Sequence, residues 1–291
     1  MPEPIKSWRE LLDRYEEFKE GRWCFRGDRC RTLQFKTSLE RAAVDRWGRN
    51  WSELPDIEAG LLRRFRREAH LYLSSEPEEG DRIGWLSLMR HHGAPTRLLD
   101  WSFSFFVAVH FAVERAEMDR PASLFAMNLG RIRERVDHFG HVQPFLVRDP
   151  NAKRPDTVAA IIDHSPRHPL IFPLNPWRMN RRLILQQSVF LVPGDITKSF
   201  MDNLRAVADP EELLVEIPLS NDRIFLQEAT RELLAMKYEL CHSLPGTGRL
   251  RPKPHLHHSL PLPPSRGLRR RARVGARATP LRDVDYAVGL E

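Results

Sequence analysis

From Phe105 to Ala112 the chain reads Phe-Phe-Val-Ala-Val-His-Phe-Ala and leaves almost no polar face. Ser102 and Ser104 stand ahead of it as helix caps, and the pattern runs to about Glu114. A helix carrying Phe105, Phe106, Val107, Val109, Phe111 and Ala112 is apolar nearly all round, so it has to be buried. The remaining elements must therefore cover it from more than one side.

Upstream of it the chain is helical. Ser7-Trp8-Arg9-Glu10 has the form of a capping box, and Trp8, Leu11, Leu12, Tyr15 and Phe18 follow at helical spacing until Gly21. Arg22 to Gly27 reads as a short strand. Asp56 to Leu73 is a helix with Ile57, Leu61, Phe65, Ala69 and Tyr72 on one face and arginines on the other. A shorter helix, Ile83 to His92, stops at Gly93, and Pro95 prevents its continuation. Thr96 to Trp101 is extended or looped. Downstream, Ala122 to Asn128, Ser188 to Val192 and Leu213 to Pro218 read as strands, and Phe225 to Tyr238 as a closing helix. The proline-rich stretch Asp149 to Asn175 is ambiguous. Helices early and strands late make the class α+β, a single domain over residues 1–246.

From about Gly246 the composition changes. Residues 247–291 are rich in proline and arginine with no apolar period, which predicts a basic, disordered tail. The whole formal charge of +7 resides there: residues 241–291 hold ten basic and three acidic side chains, while residues 1–240 hold 36 of each. A pI of about 9.6 therefore says little about the domain itself. The tail, or the arginine-rich helix with Arg63, Arg64, Arg66 and Arg67, is the place where nucleic acid would be met. His255, His257 and His258 in the tail lack partner ligands at structural spacing.

Cys24, Cys30 and Cys241 are an odd count without a secretory leader, which predicts a reducing, cytoplasmic location and no structural metal. No run of eighteen apolar residues exists, so no membrane span is expected. A Walker lysine loop, a dinucleotide glycine fingerprint, GxSxG, HExxH and paired CxxC motifs are all missing.

Three segments carry chemistry. Arg26 lies at a strand end before Gly27, where a guanidinium fork suits a pyrophosphate or carboxylate; the alternative is a structural pair with Asp28 or Asp100. His91 to Ser102 packs two histidines, Thr96, Arg97, Asp100 and Trp101 ahead of a buried helix N-terminus, which favours anions. Trp101 could stack on a planar ring. The alternative is a rigid connector in which Arg97 and Asp100 pair. Arg181 to Phe190 leads through Gln186 and Gln187 into an apolar strand, and its alternative is a polar strand entry.

Together these segments resemble the FRG domain, named for its Phe-Arg-Gly motif. Trp23 to Gly27 matches the naming motif, His91 to Trp101 leading to Phe111-Ala112 its most specific block, and Gln186 to Phe190 a later element. Position 188 is serine where the family pattern has glycine. The order of elements is also similar to the ADP-ribosyltransferase fold, which implies a central split or mixed β-sheet. That resemblance implies NAD as cofactor, with no metal. Arg26 would grip its pyrophosphate or ribose, Thr96 and Ser102 would lie along the nicotinamide ribose, and Arg97 and Trp101 would complete the cofactor site. Gln187 would take the catalytic third place. It can donate to the ribose 2′-OH region but cannot act as a base, which moves base work to His92, Asp100 or Glu216.

The implied function is an NAD-dependent ADP-ribosyltransferase-like effector of a bacterial defence or toxin system. Its rivals are a non-catalytic nucleic-acid or phosphate-binding module, and a metal-independent hydrolase or nuclease using His91, His92 and Asp100.

Overall fold

The computed structural model describes residues 3–28, 34–71, 76–114, 122–137, 162, 167–176 and 178–243, with the side chains of 136–137 and 237–243 excepted. Tyr72, Cys30, most of the proline-rich stretch and the whole of the expected tail lie outside the described residues. All described residues fall in one compact unit, within Met1–Pro245.

The first half alternates helix and strand in the expected order. Helix α1 is Trp8–Glu16, where the Ser7 hydroxyl accepts from the Glu10 amide at 3.2 Å and the Glu10 carboxylate accepts from the Lys6 amide at 2.9 Å. Strand β1 is Trp23–Asp28. A one-turn helix, α2 (Ser38–Glu40), runs into a π-helix at Arg41–Arg46, neither of which the apolar pattern announces. Helix α3 (Leu54–Ala69) and helix α4 (Arg82–His91) follow. The Asp81 carboxylate caps α4 by accepting from the Gly84 amide at 2.8 Å, and Gly93 takes a φ of +82° just past its end. Strand β2 is Leu99–Ser102 and helix α5 is Phe105–Glu114.

The second half supplies β3 (Ser123–Asn128), α6 (Leu129–Asp137), β4 (Ile171–Leu174), α7 (Arg181–Leu185), β5 (Ser188–Pro193), α8 (Phe200–Val207), β6 (Leu214–Pro218) and α9 (Arg223–Ser243). Strand β4 emerges from the ambiguous proline-rich stretch, with Ile171 and Phe172 buried. The arginine-led entry to β5 is a short helix, α7, rather than an extension of the strand.

The six strands form one sheet in the order β4-β5-β2-β1-β3-β6. The architecture is α+β. Every strand junction is antiparallel, so the sheet is not mixed. Its weak seam lies in the middle: β1 joins β3 along six paired positions and β2 joins β5 along four, but β1 meets β2 at one pair, Phe25 with Ser102.

Phe25-Arg26-Gly27 explains how the seam is covered. Alternate residues of a strand face opposite sides. Phe25 packs edge-on against Phe105 of α5 and Phe18, at 5.3 and 5.6 Å between ring centroids. Gly27 faces the same helix, and a Cβ there would collide with the backbone of Ala108 and Ala112. Glycine is what lets the apolar helix α5 lie directly on the strand. Arg26 then points to the opposite face, where α4 and the second core layer lie. One core, with α1, α5 and α9, fills the Phe25 side; the larger one, with α4, α8 and the β2 and β5 side chains, fills the other.

Candidate functional site

Arg26 keeps 15% of its side chain exposed. Its Nη1 donates to the Asp100 carbonyl at 2.7 Å, and its Nε reaches Asp28 Oδ2 at 3.4 Å. Burial lowers the guanidinium pKa from its ordinary value. The charges of Asp28 and Asp100 oppose that shift, and those of Arg90 and Arg41 add to it. Three guanidinium groups and two carboxylates thus share this corner of the sheet.

Asp100 is the hinge of the group. While its carbonyl holds Arg26, its carboxylate accepts from Nε of Arg90 on α4 at 2.8 Å and from Nη2 of the same residue. Arg90 Nη1 donates to Ser38 Oγ at 2.7 Å. That hydroxyl also accepts from the Thr96 amide at 3.0 Å and donates to the Thr96 carbonyl at 3.1 Å. The pairing weighed for Asp100 with Arg97 is therefore replaced by Asp100 with Arg90.

Residues 21–120, about a third of the chain, match the family model of the FRG domain. Over residues 21–120 the chain is similar to the FRG domain. No curated relative and no solved structure matches it.

Within the matched residues, four of the expected cofactor contacts stand in the interior. Arg97 is 2% exposed and sits on Glu58 of α3, which is fully buried: Nε to Oε2 is 2.7 Å, Nη2 reaches the same oxygen, and the Arg97 amide gives a further bond to Oε1 at 3.0 Å. The apolar face drawn for α3 omitted this glutamate; a lone acid at helical spacing from Leu54, Leu61 and Leu62 was the available signal. Trp101 packs edge-on against Phe35 at 5.4 Å in the larger core, so its ring is not open for stacking. Thr96 is fully buried, and its Oγ1 has no hydrogen-bond partner. Ser102 is buried at the β1–β2–β5 meeting point, where its hydroxyl donates to the Gln186 carbonyl at 2.7 Å and accepts from the Ser104 amide at 2.9 Å.

Gln187 is exposed on the turn between α7 and β5. Among the described residues it is the non-glycine residue with positive φ, +45°. Such a conformation costs about 1 kcal/mol or more and recurs at functional sites. Its carbonyl accepts from the Phe103 amide at 2.9 Å, beside the Ser102–Ser188 pair. Arg26 and Gln187 therefore lie two strand spacings apart, roughly 10 Å across the sheet. Thr96 lies off the opposite end of β2 from Gln187. Arg26 and Gln187 flank one strand; the expected trio with Thr96 does not gather.

The histidines close α4. His91 and His92 are both exposed, with ring centroids 5.2 Å apart, and His92 lies 5.9 Å from Phe65. Burial, His92 and Arg182 of α7 lower the pKa of His91 from its ordinary value. The end of α4 thus neighbours the helix that leads to Gln187. Glu216 stands farther off, on β6, accepting from Ser123 Oγ at 2.7 Å. On α3, Arg64 pairs with Glu68 and Arg66 lies 5.1 Å over the Trp85 ring, so the arginine row is partly committed within the fold. Among the described residues no three His, Cys, Asp or Glu gather to hold a metal, and no helix is long and apolar enough to cross a membrane.

Glu40 escaped the sequence reading. It is buried beside the π-helix, accepts from the Phe200 amide at 3.1 Å and from Thr37 Oγ1 at 3.2 Å, and leaves Oε2 without a partner. Burial raises its pKa to about 7, against the smaller lowering by the Phe200 and Thr37 hydrogen bonds and the Lys36 charge.

Proposed function

We propose that this FRG domain binds NAD and acts as an ADP-ribosyltransferase-like effector of a bacterial defence or toxin system. The observation that carries the reading is strand adjacency. β5, β2 and β1 are consecutive neighbours, with Gln187 at the mouth of the first and Arg26 on the last. In this reading one extended dinucleotide meets both.

In this reading Arg26 holds the pyrophosphate through its fork. Gln187, exposed and held out by its backbone, hydrogen-bonds the nicotinamide ribose. The glycosidic bond to nicotinamide breaks with its electron pair, and the ribose carbon gains oxocarbenium character. A bond to the 2′-OH that tightens at that point lowers the barrier. Ser102 positions the turn by holding the Gln186 carbonyl. Gln187 takes no proton. An imidazole at the end of α4 receives the acceptor's proton as the acceptor bonds to the ribose carbon. Asp100, engaged by Arg90, and Glu216, engaged by Ser123, are less suited to that task.

The test is NAD binding by calorimetry and release of nicotinamide, or labelled transfer to a protein and nucleic-acid panel. Saturable binding, with turnover lost in Gln187→Ala, is expected. Absence of NAD binding by a folded protein contradicts the reading.

A further inference from the structure

We propose that Arg90 is the second anion-gripping residue of this site, and that Arg90 and Arg26, both held on Asp100, clamp the diphosphate of a nucleotide-type ligand. The inference rests on the reading above only in placing a nucleotide at Arg26; it needs no transferase chemistry.

Two guanidinium groups from different elements are fixed on one residue. Arg26 comes from β1 and takes the Asp100 carbonyl; Arg90 comes from α4 and takes the carboxylate. Their side chains are 15% and 22% exposed, so each is braced by protein and still meets solvent. Arg90 is held through Nε, Nη2 and Nη1, the last on a Ser38 hydroxyl that is itself fixed at both ends of the Thr96 peptide unit. The Ser38 bond stays when the Asp100 carboxylate gives way, so Arg90 keeps part of its bracing on binding, which favours affinity. The Asp100 carboxylate is 45% exposed and occupies the fork that a phosphate oxygen would take. It can turn outward to water as the phosphate enters. Two guanidinium groups held on one residue can each take one of two linked phosphates, whereas a single phosphate satisfies one of them. Arg41, whose charge acts on Arg26, adds to the same field.

The experiment is calorimetry on the full chain with pyrophosphate, ADP, AMP and orthophosphate. Pyrophosphate and ADP should bind, with AMP and orthophosphate weaker by roughly tenfold or more, the scale of one charge-assisted contact. Arg90→Ala and Arg90→Lys should each weaken pyrophosphate by roughly tenfold, because lysine keeps the charge but not the fork. Arg9→Ala, an exposed arginine of α1, should leave it unchanged. If Arg90→Ala fails to fold, Arg90→Lys decides. Unchanged pyrophosphate affinity in folded Arg90→Lys, equal affinity for ADP and AMP, or no pyrophosphate binding overturns the clamp. NAD turnover that ignores Arg90→Lys sinks the clamp and leaves the transferase reading standing. Pyrophosphate binding through Arg90 with no NAD cleavage does the reverse.

Discussion

Arg97 and Arg26 are both arginines set against carboxylates near one strand, yet they occupy opposite kinds of environment. Arg97 and Glu58 are sealed from water and joined by side chain and backbone at once. Arg26 is shared between the Asp100 carbonyl and a longer contact to Asp28, with part of its side chain open. A sealed pair fixes how α3 meets the connector ahead of β2. A partly satisfied guanidinium on a solvent edge has capacity left for an anion. The difference teaches that density of polar residues in a motif does not say which of them bind; burial and completeness of pairing do.

The largest effect should come from breaking the sealed pair. Glu58→Ala leaves the Arg97 guanidinium buried and uncompensated, and should destabilise the fold by about 3–5 kcal/mol. Urea unfolding with circular dichroism checks it. A loss below about 1 kcal/mol would mean that water reaches Arg97 and that the contrast with Arg26 is false.

Glu40 sharpens the comparison from the other direction, as a buried carboxyl with no cation sealed onto it. Its pKa is raised to about 7 in the folded state from an ordinary 4.5, so the folded protein holds this proton more tightly than the unfolded chain. The stabilisation linked to it is complete below about 4.5 and drains away as pH rises through 7. Glu40→Gln, which cannot ionise, should therefore unfold later than the native chain above pH 8, by on the order of 2–3 kcal/mol, with the gap narrowing towards pH 5. Denaturant midpoints across that range measure it, and a gap that does not depend on pH would contradict the assignment.

The smallest stability effect should appear at the exposed edge of the site. Gln187→Gly relieves the positive φ and should stabilise the protein by up to about 1 kcal/mol, and on the proposed transferase reading it abolishes transfer. A destabilised Gln187→Gly variant would show that the side chain, not the backbone, holds that turn.

Much of the fold was legible because its signals are local. Ser7 and Glu10 announce α1, Gly93 and Pro95 announce the end of α4, and the unbroken apolar surface of residues 105–112 announces a covered helix. The π-helix after Glu40 and strand β4 were not legible. The first continues from α2, whose Leu39 and Glu40 are held by distant Thr96 and Phe200, and the second carries a proline at Pro173 inside a run that otherwise reads as loop. The site was half legible. Arg26 could be found from its place before a glycine that α5 packs against. Arg90 could not, because on α4 it looks like any helix arginine until β2 brings Asp100 under it. Arg97 and Trp101 were misread for a related reason: their partners, Glu58 and Phe35, lie about 40 and 66 residues away in the chain.

Arg26 as a ligand residue is the central claim, and one paired measurement tests it. Arg26→Ala and Arg97→Ala are each followed by urea unfolding and by NAD calorimetry. Arg26→Ala should unfold within about 1 kcal/mol of the native chain and lose NAD binding, while Arg97→Ala should lose several kcal/mol of stability. An Arg26→Ala protein that unfolds as readily as Arg97→Ala, or that stays folded and binds NAD as the native chain does, would contradict it.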